Sequence, residues 1–305
     1  MRPLTLSISA VERDTGLSKD TLRVWERRYG FPTPERDAVG ERAYSLDQVE
    51  KLRIVKRLMD GGHRPGRVVP MRVEDLQQLS ENTVDAPKHA TAAARPDLRV
   101  LIELLRSNQI DGLRRCLQQL SMGMGLQRFV CEVIIPFNTL VGDSWMRGQL
   151  EIHEEHAYSE VLQIVLRGAL ANLPPNVALD RPRVLLTTFH GEPHSLGLLM
   201  AETLFALKGA KCLSLGVQTP VWNMVLAAAA YQSDIVALGF TGCMNPNQVV
   251  EGLTELRAKL PRSVEIWVGG SAPVLQRRPV DGVLALGDLS DITCQIERWR
   301  HGTHD

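Results

Sequence analysis

The sequence predicts a multidomain chain of the α plus α/β class: a segment of short helices, then a bundle of four helices, then a doubly wound parallel sheet. Three observations predict it. Residues 98–173 carry leucine, isoleucine and valine at three- and four-residue steps, as in Val100-Leu101-Leu104-Leu105 and Val161-Leu162-Ile164-Val165, the spacing of amphipathic helices. From residue 182 onward, apolar runs of four to six residues alternate with longer helical stretches. That alternation implies parallel strands covered by helices on both faces. Between the first and second segments, residues 78–97 are small, polar and Pro-bearing, which reads as a flexible linker. The boundaries expected are therefore 1–77, a linker at 78–97, 98–173 and 182–300, and 305 residues give room for them.

Composition narrows the function classes. A 44% hydrophobic and 23% charged chain is ordinary for a soluble globular protein, and a net charge of zero points to no partner. The distribution says more: residues 1–71 hold 14 Lys/Arg against 10 Asp/Glu, a basic excess that fits a small nucleic-acid-binding domain. The five cysteines, Cys116, Cys131, Cys212, Cys243 and Cys294, form no C-x-x-C pair and are odd in number. That spacing argues against a zinc site and a disulfide framework, and most are expected as core residues in a reducing cytoplasm. Met1 to Thr5 lacks the apolar segment of a signal peptide, and no run reaches the length of a membrane span. The expected location is cytoplasmic, with no membrane partner.

The first segment reads as helix–turn–helix over residues 6–29. Ser7 and Ser18 can cap its two helices and Gly16 can make the turn. Val11, Leu17, Leu22 and Trp25 supply the apolar side that packs them. Thr21, Arg23, Arg27 and Arg28 are left for phosphates and base edges. The turn-rich piece Asp37-Ala38-Val39-Gly40-Glu41, followed by Arg42 and Tyr44, reads as a β wing.

In the second segment four helices fit, roughly 98–107, 110–121, 125–146 and 151–172, closed by Asn172-Leu173-Pro174-Pro175. Gly148 breaks the third. Trp145 then ends one helix while Glu155 and His156 occupy the first turn of the next, so an indole, a carboxylate and an imidazole can converge on one mouth of the bundle. The indole offers a large flat apolar face and the carboxylate can accept hydrogen bonds from a ribose or adenine. A core tryptophan and a solvated helix start fit the same residues.

In the third segment the strands expected are 183–188, 211–215, 234–239, 264–268 and 282–286, with helices starting near Ser195, Pro220, Pro246, Ala272 and Leu289. Five strands suit a flavodoxin-like sheet, which binds ligands outside the carboxyl ends of its strands. His194 lies there, in the strand-to-helix loop Thr188 to Gly197, and imidazole is a good transition-metal ligand. Taken alone, these residues also fit a loop histidine that caps a helix or binds nothing.

Two resemblances extend this reading. Leu22-Arg23-Val24-Trp25-Glu26-Arg27-Arg28-Tyr29-Gly30-Phe31-Pro32, then Gly40-x-Arg42-x-Tyr44-Ser45 and Val49-Glu50-Lys51-Leu52, resemble the winged helix–turn–helix of MerR-type transcription regulators. That resemblance implies double-stranded operator DNA as partner, with Thr21, Arg23, Arg27, Arg28, Tyr29, Arg42 and Tyr44 at the contact. Glu192-x-His194-x-x-Gly197 resembles the signature of cobalamin-binding domains, whose usual first residue is aspartate. Together with Trp145 and Glu155-His156, in this domain order, it resembles the adenosylcobalamin-binding CarH-type light-responsive repressors.

The resemblance implies His194 as the lower cobalt ligand, oriented by Glu192, and Trp145, Glu155 and His156 over the adenosyl group. It also implies that Gly269 and Gly270 let the nucleotide tail pass close to the backbone, and that Thr241 supplies a hydroxyl. The expected protein is a repressor that senses adenosylcobalamin and light through cofactor-dependent assembly into a homo-oligomer, a dimer or tetramer.

Two departures stand out. Gly239-Phe240-Thr241 replaces the family's Ser-x-Leu/Val and places a bulky Phe240 in the tail pocket. Met146 stands where light-responsive relatives can carry a histidine. They favour an alternative, a MerR-type regulator without light sensing that binds another tetrapyrrole or no cofactor. A cobalamin-dependent enzyme subunit is a third reading, opposed by the DNA-binding head, by the absence of a catalytic barrel domain and by the lack of a nucleophile–base arrangement.

Overall fold

The structure is a computed structural model that describes residues 5–37, 40–60, 63–82, 97–174 and 181–302. The chain divides into two compact units, residues 1–91 with 142–151, and residues 92–141 with 152–305.

The first unit opens with a short strand, β1 (Thr5–Ser7), followed by α1 (Ile8–Thr15) and α2 (Lys19–Tyr29). The expected caps form. Ser7 Oγ accepts from the Ala10 N–H and Ser18 Oγ from the Thr21 N–H, while Gly16 takes a left-handed conformation (φ 70°) between the helices. β2 (Glu35–Arg36) and β3 (Arg42–Ser45) pair antiparallel as the wing, and β1 adds to the other edge of β3. The wing turn at 38–39 lies outside the described residues. α3 (Leu46–Asp60), α4 (Pro65–Val68) and α5 (Val73–Asn82) complete the head. Val11, Leu17, Leu22 and Trp25 are buried together with Tyr44, Leu52, Val55 and Leu58, so the apolar side read from sequence is the core of this unit.

The second unit begins with α6 (Leu98–Arg106) and α7 (Ile110–Met124). The third expected helix is interrupted: α8 (Leu126–Arg128), a π-helical turn over Phe129–Ile134, and α9 (Ile135–Met146), whose residues from Gly142 onward are assigned to the first unit, share its span. α9 ends as expected before Gly148, which is left-handed at φ 69°. α10 (Ile152–Ala171) packs on α7 and on the first helix of the sheet domain.

β4 (Arg183–Thr187), α11 (Leu196–Leu207), β5 (Lys211–Ser214), α12 (Val221–Tyr231), β6 (Ile235–Phe240), α13 (Pro246–Lys259), β7 (Glu265–Gly270), α14 (Val274–Arg277), β8 (Val283–Ala285) and α15 (Asp291–His301) follow. The five strands are parallel in the order β5-β4-β6-β7-β8, the doubly wound flavodoxin-like order, so chain direction across the sheet reverses beside β4.

Strand alternation sorts the sheet's two faces. Leu185, Val236, Leu238, Phe240, Ile266 and Val268 join the core with Met224 of α12 and Val249, Leu253 and Leu256 of α13. The intervening residues Ala237, Gly239, Trp267 and Gly269 face the opposite side, where Phe205 of α11 lies 5.7 Å from Trp267, ring centre to ring centre.

The cysteines depart from expectation. Cys116, Cys131 and Cys212 are half-buried and Cys243 and Cys294 are exposed, so none is a fully buried core residue. Cys116 and Cys294 lie on α7 and α15, Cys131 in the π-helical turn, Cys212 on the edge strand β5, and only Cys243 in a loop.

Candidate functional site

In the head, α2 presents Arg23, Arg27 and Arg28 to solvent. Arg23 is paired with Asp20 (3.0 Å), Arg27 Nε donates to the Arg23 carbonyl (3.4 Å), and Arg28 lies over the Tyr29 ring (5.4 Å). Thr21 is half-buried, its hydroxyl against Ser18 Oγ (2.8 Å). In the wing, Arg42 Nε donates to Glu26 (2.9 Å), which raises the Arg42 pKa further and ties the wing to α2. Arg36, absent from the sequence-based set, is an exposed wing cation whose guanidinium donates to the Gly40 carbonyl (2.6 Å).

Tyr44 corrects the sequence reading. It is 0% exposed, its ring belongs to the head's core, and its hydroxyl is buried without a hydrogen-bond partner among the described residues. Strand alternation at β3 turns it inward, so it supports the wing instead of touching a duplex.

In the second unit, the β4-to-α11 loop places Glu192 and His194 beside the strand-order reversal. Glu192 is fully buried, and His194 Nδ1 lies 2.6 Å from its Oε1. Thr241, just past β6, adds its backbone N–H to Glu192 Oε2 (2.7 Å) and its hydroxyl to both carboxylate oxygens (3.1 and 2.9 Å). Burial pushes the Glu192 carboxyl up, but hydrogen bonds from His194 and from the Thr241 N–H and hydroxyl outweigh it and hold the group down at about 2. An ionised carboxylate only accepts, so Nδ1 carries the hydrogen of a neutral His194 and the lone pair is on Nε2. That is the tautomer a metal-ligating histidine needs. Thr241 lines the cavity beside His194 and also fixes the carboxylate that fixes the imidazole.

His194 borders a cavity of about 470 Å³ on the face of the sheet away from Phe240's core contacts. Gly197, Gly239 and Gly269 line it, and Gly239 and Gly269 are register neighbours on β6 and β7, so two missing side chains meet at one point of its floor. Cβ atoms at Gly197, Gly239 or Gly269 would find open space or ordinary contacts of 3.9–4.0 Å.

Gly270 differs. At φ +117° its Cβ would stand 2.0 Å from the Phe240 carbonyl oxygen, so the fold itself demands glycine there. Phe240 is also among the residues that line the cavity, but its ring stacks edge-on against Phe189 (5.2 Å) within the core of the opposite face.

Asn138 of α9 also lines the cavity and was not read from sequence. The Tyr158 hydroxyl donates to its Oδ1, and its Nδ2 lies 3.5 Å from Met200 Sδ. Glu155 and His156 sit in the first turn of α10 and bond locally, His156 Nδ1 to Glu155 Oε2 (2.7 Å) and the Ser159 hydroxyl to Glu155 Oε1 (2.8 Å). Neither is among the residues lining the cavity. Trp145 is half-buried near the C-terminal end of α9. Of Met146 only the backbone is described, as the last residue of that helix.

A winged helix–turn–helix joined to a doubly wound domain with an oriented histidine at its switch-point cavity defines a class: DNA-binding regulators with a ligand-binding C-terminal part. Comparison with known proteins agrees. Residues 6–69 match the MerR HTH family regulatory protein. The chain is 30% identical over 280 residues, 89% of its length and 91% of the relative's, to the HTH-type transcriptional repressor CarH of Myxococcus xanthus. It is also 30% identical over 273 residues to the HTH-type transcriptional repressor CarA of the same organism, covering 88% and 87% of the two chains. The chain belongs to this family of MerR-type transcription regulators. The monomethylamine corrinoid protein of Methanosarcina barkeri shares the fold of the C-terminal part, with a TM-score of 0.52 at 18% identity over 65% of this chain and 96% of that one. No described helix is long and apolar enough to cross a membrane.

Proposed function

We propose that the chain represses transcription from operator DNA, binds adenosylcobalamin through its C-terminal part, and responds to light through cofactor-dependent assembly. The observation that carries the reading is the pair His194–Glu192 at the mouth of a cavity whose floor is left open by Gly239 and Gly269.

The residues present suit a corrinoid. A single imidazole, oriented through Nδ1 by a buried carboxylate, directs Nε2 as a ligand atom, and the glycine-floored cavity accepts an elongated group without displacing backbone. When bound, the cofactor would supply a cobalt for His194 to ligate and a cobalt–carbon bond that light can break. Within the chain, Glu192 and Thr241 keep His194 in one tautomer and one orientation. Gly197, Gly239 and Gly269 leave room for the tail. Glu155 and His156 are proposed to contact the adenosyl group. On the DNA side, Arg23, Arg27 and Arg28 of α2 and the wing meet a duplex. Assembly of several heads raises operator affinity through effective concentration, so loss of assembly releases DNA.

The test is direct. Protein mixed with adenosylcobalamin in the dark is expected to co-elute with the corrinoid at a larger mass and to shift operator DNA, and green light is expected to reverse both. A loaded protein whose mass and DNA binding ignore light refutes the light-sensing step. A protein that takes up no corrinoid refutes the cofactor assignment.

A further inference from the structure

The loop after β6 brings Cys243 to the far side of the His194–Glu192 pair. Its Sγ lies 3.3 Å from Glu192 Oε2 and 3.9 Å from His194 Nδ1, and Glu192 Oε1 is 2.6 Å from that same nitrogen. The three ligand atoms lie within 4.8 Å of one another. Zinc holds sulfur at about 2.3 Å and nitrogen or oxygen at about 2.0 Å, so tetrahedral ligand atoms sit roughly 3.3–3.5 Å apart. The observed separations bracket that range, and small rotations of the exposed Cys243 and His194 side chains bring them into it. The carboxylate is already fixed by Thr241, while the thiol and imidazole face solvent and give an entry path. Sulfur, nitrogen and oxygen donors together select a borderline-soft divalent cation over magnesium or calcium.

We propose that Glu192, His194 and Cys243 form a binding site for a thiophilic divalent cation, zinc above all, with a fourth position left to water. The cation takes the place of the hydrogen between His194 Nδ1 and Glu192. A neutral imidazole that ligates through Nδ1 carries its hydrogen on Nε2 and has no lone pair there. The site is therefore antagonistic to any metal that His194 ligates from the cavity side. Only this antagonism rests on the corrinoid reading; the cation site does not. It runs against the expectation, drawn from the lack of a C-x-x-C pair, that the cysteines make no zinc site.

Cobalt(II) chloride is the probe, titrated into chelator-treated full-length protein free of corrinoid, with zinc chloride as competitor. One equivalent is expected to produce tetrahedral d–d bands and a near-ultraviolet thiolate-to-cobalt charge-transfer band, which zinc abolishes. Cys243→Ser is expected to remove the charge-transfer band, and Cys243→Ser and His194→Ala each to weaken zinc binding roughly tenfold or more, with an unchanged far-ultraviolet circular dichroism spectrum. Absence of saturable binding, or binding that Cys243→Ser leaves unaltered, overturns the proposal. Zinc preloading is expected to weaken corrinoid uptake roughly tenfold in the parent protein and not in Cys243→Ser. Cation binding without corrinoid uptake upholds this site and refutes the functional reading; corrinoid uptake without cation binding refutes this site alone.

Discussion

The adjacent glycines at the end of β7 separate two demands, one of the fold and one of the ligand. At Gly270 an added Cβ meets the Phe240 carbonyl oxygen at 2.0 Å and the carbonyl carbon at 2.9 Å, and the backbone sits at φ +117°. A non-glycine residue held in such a region costs about 1–3 kcal/mol. Relieving the contact, with backbone as the obstacle and no flexible side chain to yield, adds about 1–3 kcal/mol of overpacking. Gly270→Ala is thus expected to destabilise the second unit by about 2–6 kcal/mol. With a urea slope of about 1–3 kcal/mol/M, that moves its unfolding midpoint down by roughly 1 M or more.

Gly269→Ala behaves otherwise. Its Cβ would lie 4.0 Å from Leu286 Cβ, an ordinary contact, so its midpoint is expected to stay near the parent's. The new methyl instead projects toward the cavity floor and lowers corrinoid affinity roughly tenfold. Urea titrations followed by circular dichroism, paired with corrinoid titrations, measure both effects. A Gly270→Ala protein with the parent midpoint would falsify the strain argument, and a Gly269→Ala protein with parent corrinoid affinity would remove Gly269 from the ligand's path.

Other substitutions test other joints of the argument. Tyr44→Phe deletes a buried hydroxyl that has no partner among the described residues, so stability is expected to hold or rise by up to about 1 kcal/mol with operator affinity unchanged; a large loss of DNA binding would return Tyr44 to the contact surface. Arg27→Ala is expected to weaken binding to all DNA sequences alike and to lower the salt slope by about one, read from binding isotherms at several salt concentrations. Glu192→Gln keeps the shape but removes the ionised acceptor that sets the His194 tautomer, and is expected to cost roughly 10–100-fold in corrinoid affinity; parent affinity would show that the carboxylate does not orient the ligand. Phe240→Ala empties part of the α12–α13 core and should cost about 3–5 kcal/mol of stability, read from urea titrations followed by circular dichroism.

Much of this architecture could be read from pattern because each element states its own limits. Ser7, Gly16 and Ser18 punctuate the two head helices, and the five strands of the sheet domain fall within a residue or two of their apolar runs. What escaped has physical reasons. A three-residue strand such as β1 has too few positions to show alternation and exists because β3 offers it an edge. The π-helical turn at Phe129–Ile134 follows the same apolar rows as an α-helix, so spacing cannot distinguish it.

The site was half legible. Glu192 and His194 are two residues apart and their hydrogen bond was foreseeable. Thr241 and Cys243 reach them from about 50 positions away, through parallel pairing that places the ends of β4 and β6 side by side. The inward turn of Tyr44 and the outward turn of Gly239 are both one-residue consequences of strand phase, which a contact prediction based on residue type does not include.

Strand phase and charge pairing together constrain how a signal can travel on the proposed reading. Arg23 and Arg42 already have Asp20 and Glu26 as partners, so a single head meets a duplex with part of its positive charge compensated. Phosphate contacts weaken steeply with salt, and few of them make a lone head a poor binder near physiological ionic strength. Linking heads raises affinity by a factor on the order of 10²–10⁴ without any new contact. A ligand in the second unit can therefore control operator occupancy without altering α2 or the wing, provided it binds the assembled form more tightly than the free chain. The switch should be steep where one head alone is weak. It should fade at low salt, where even a disassembled chain stays on DNA. A light response that is largest at low salt would point to a change within the head itself.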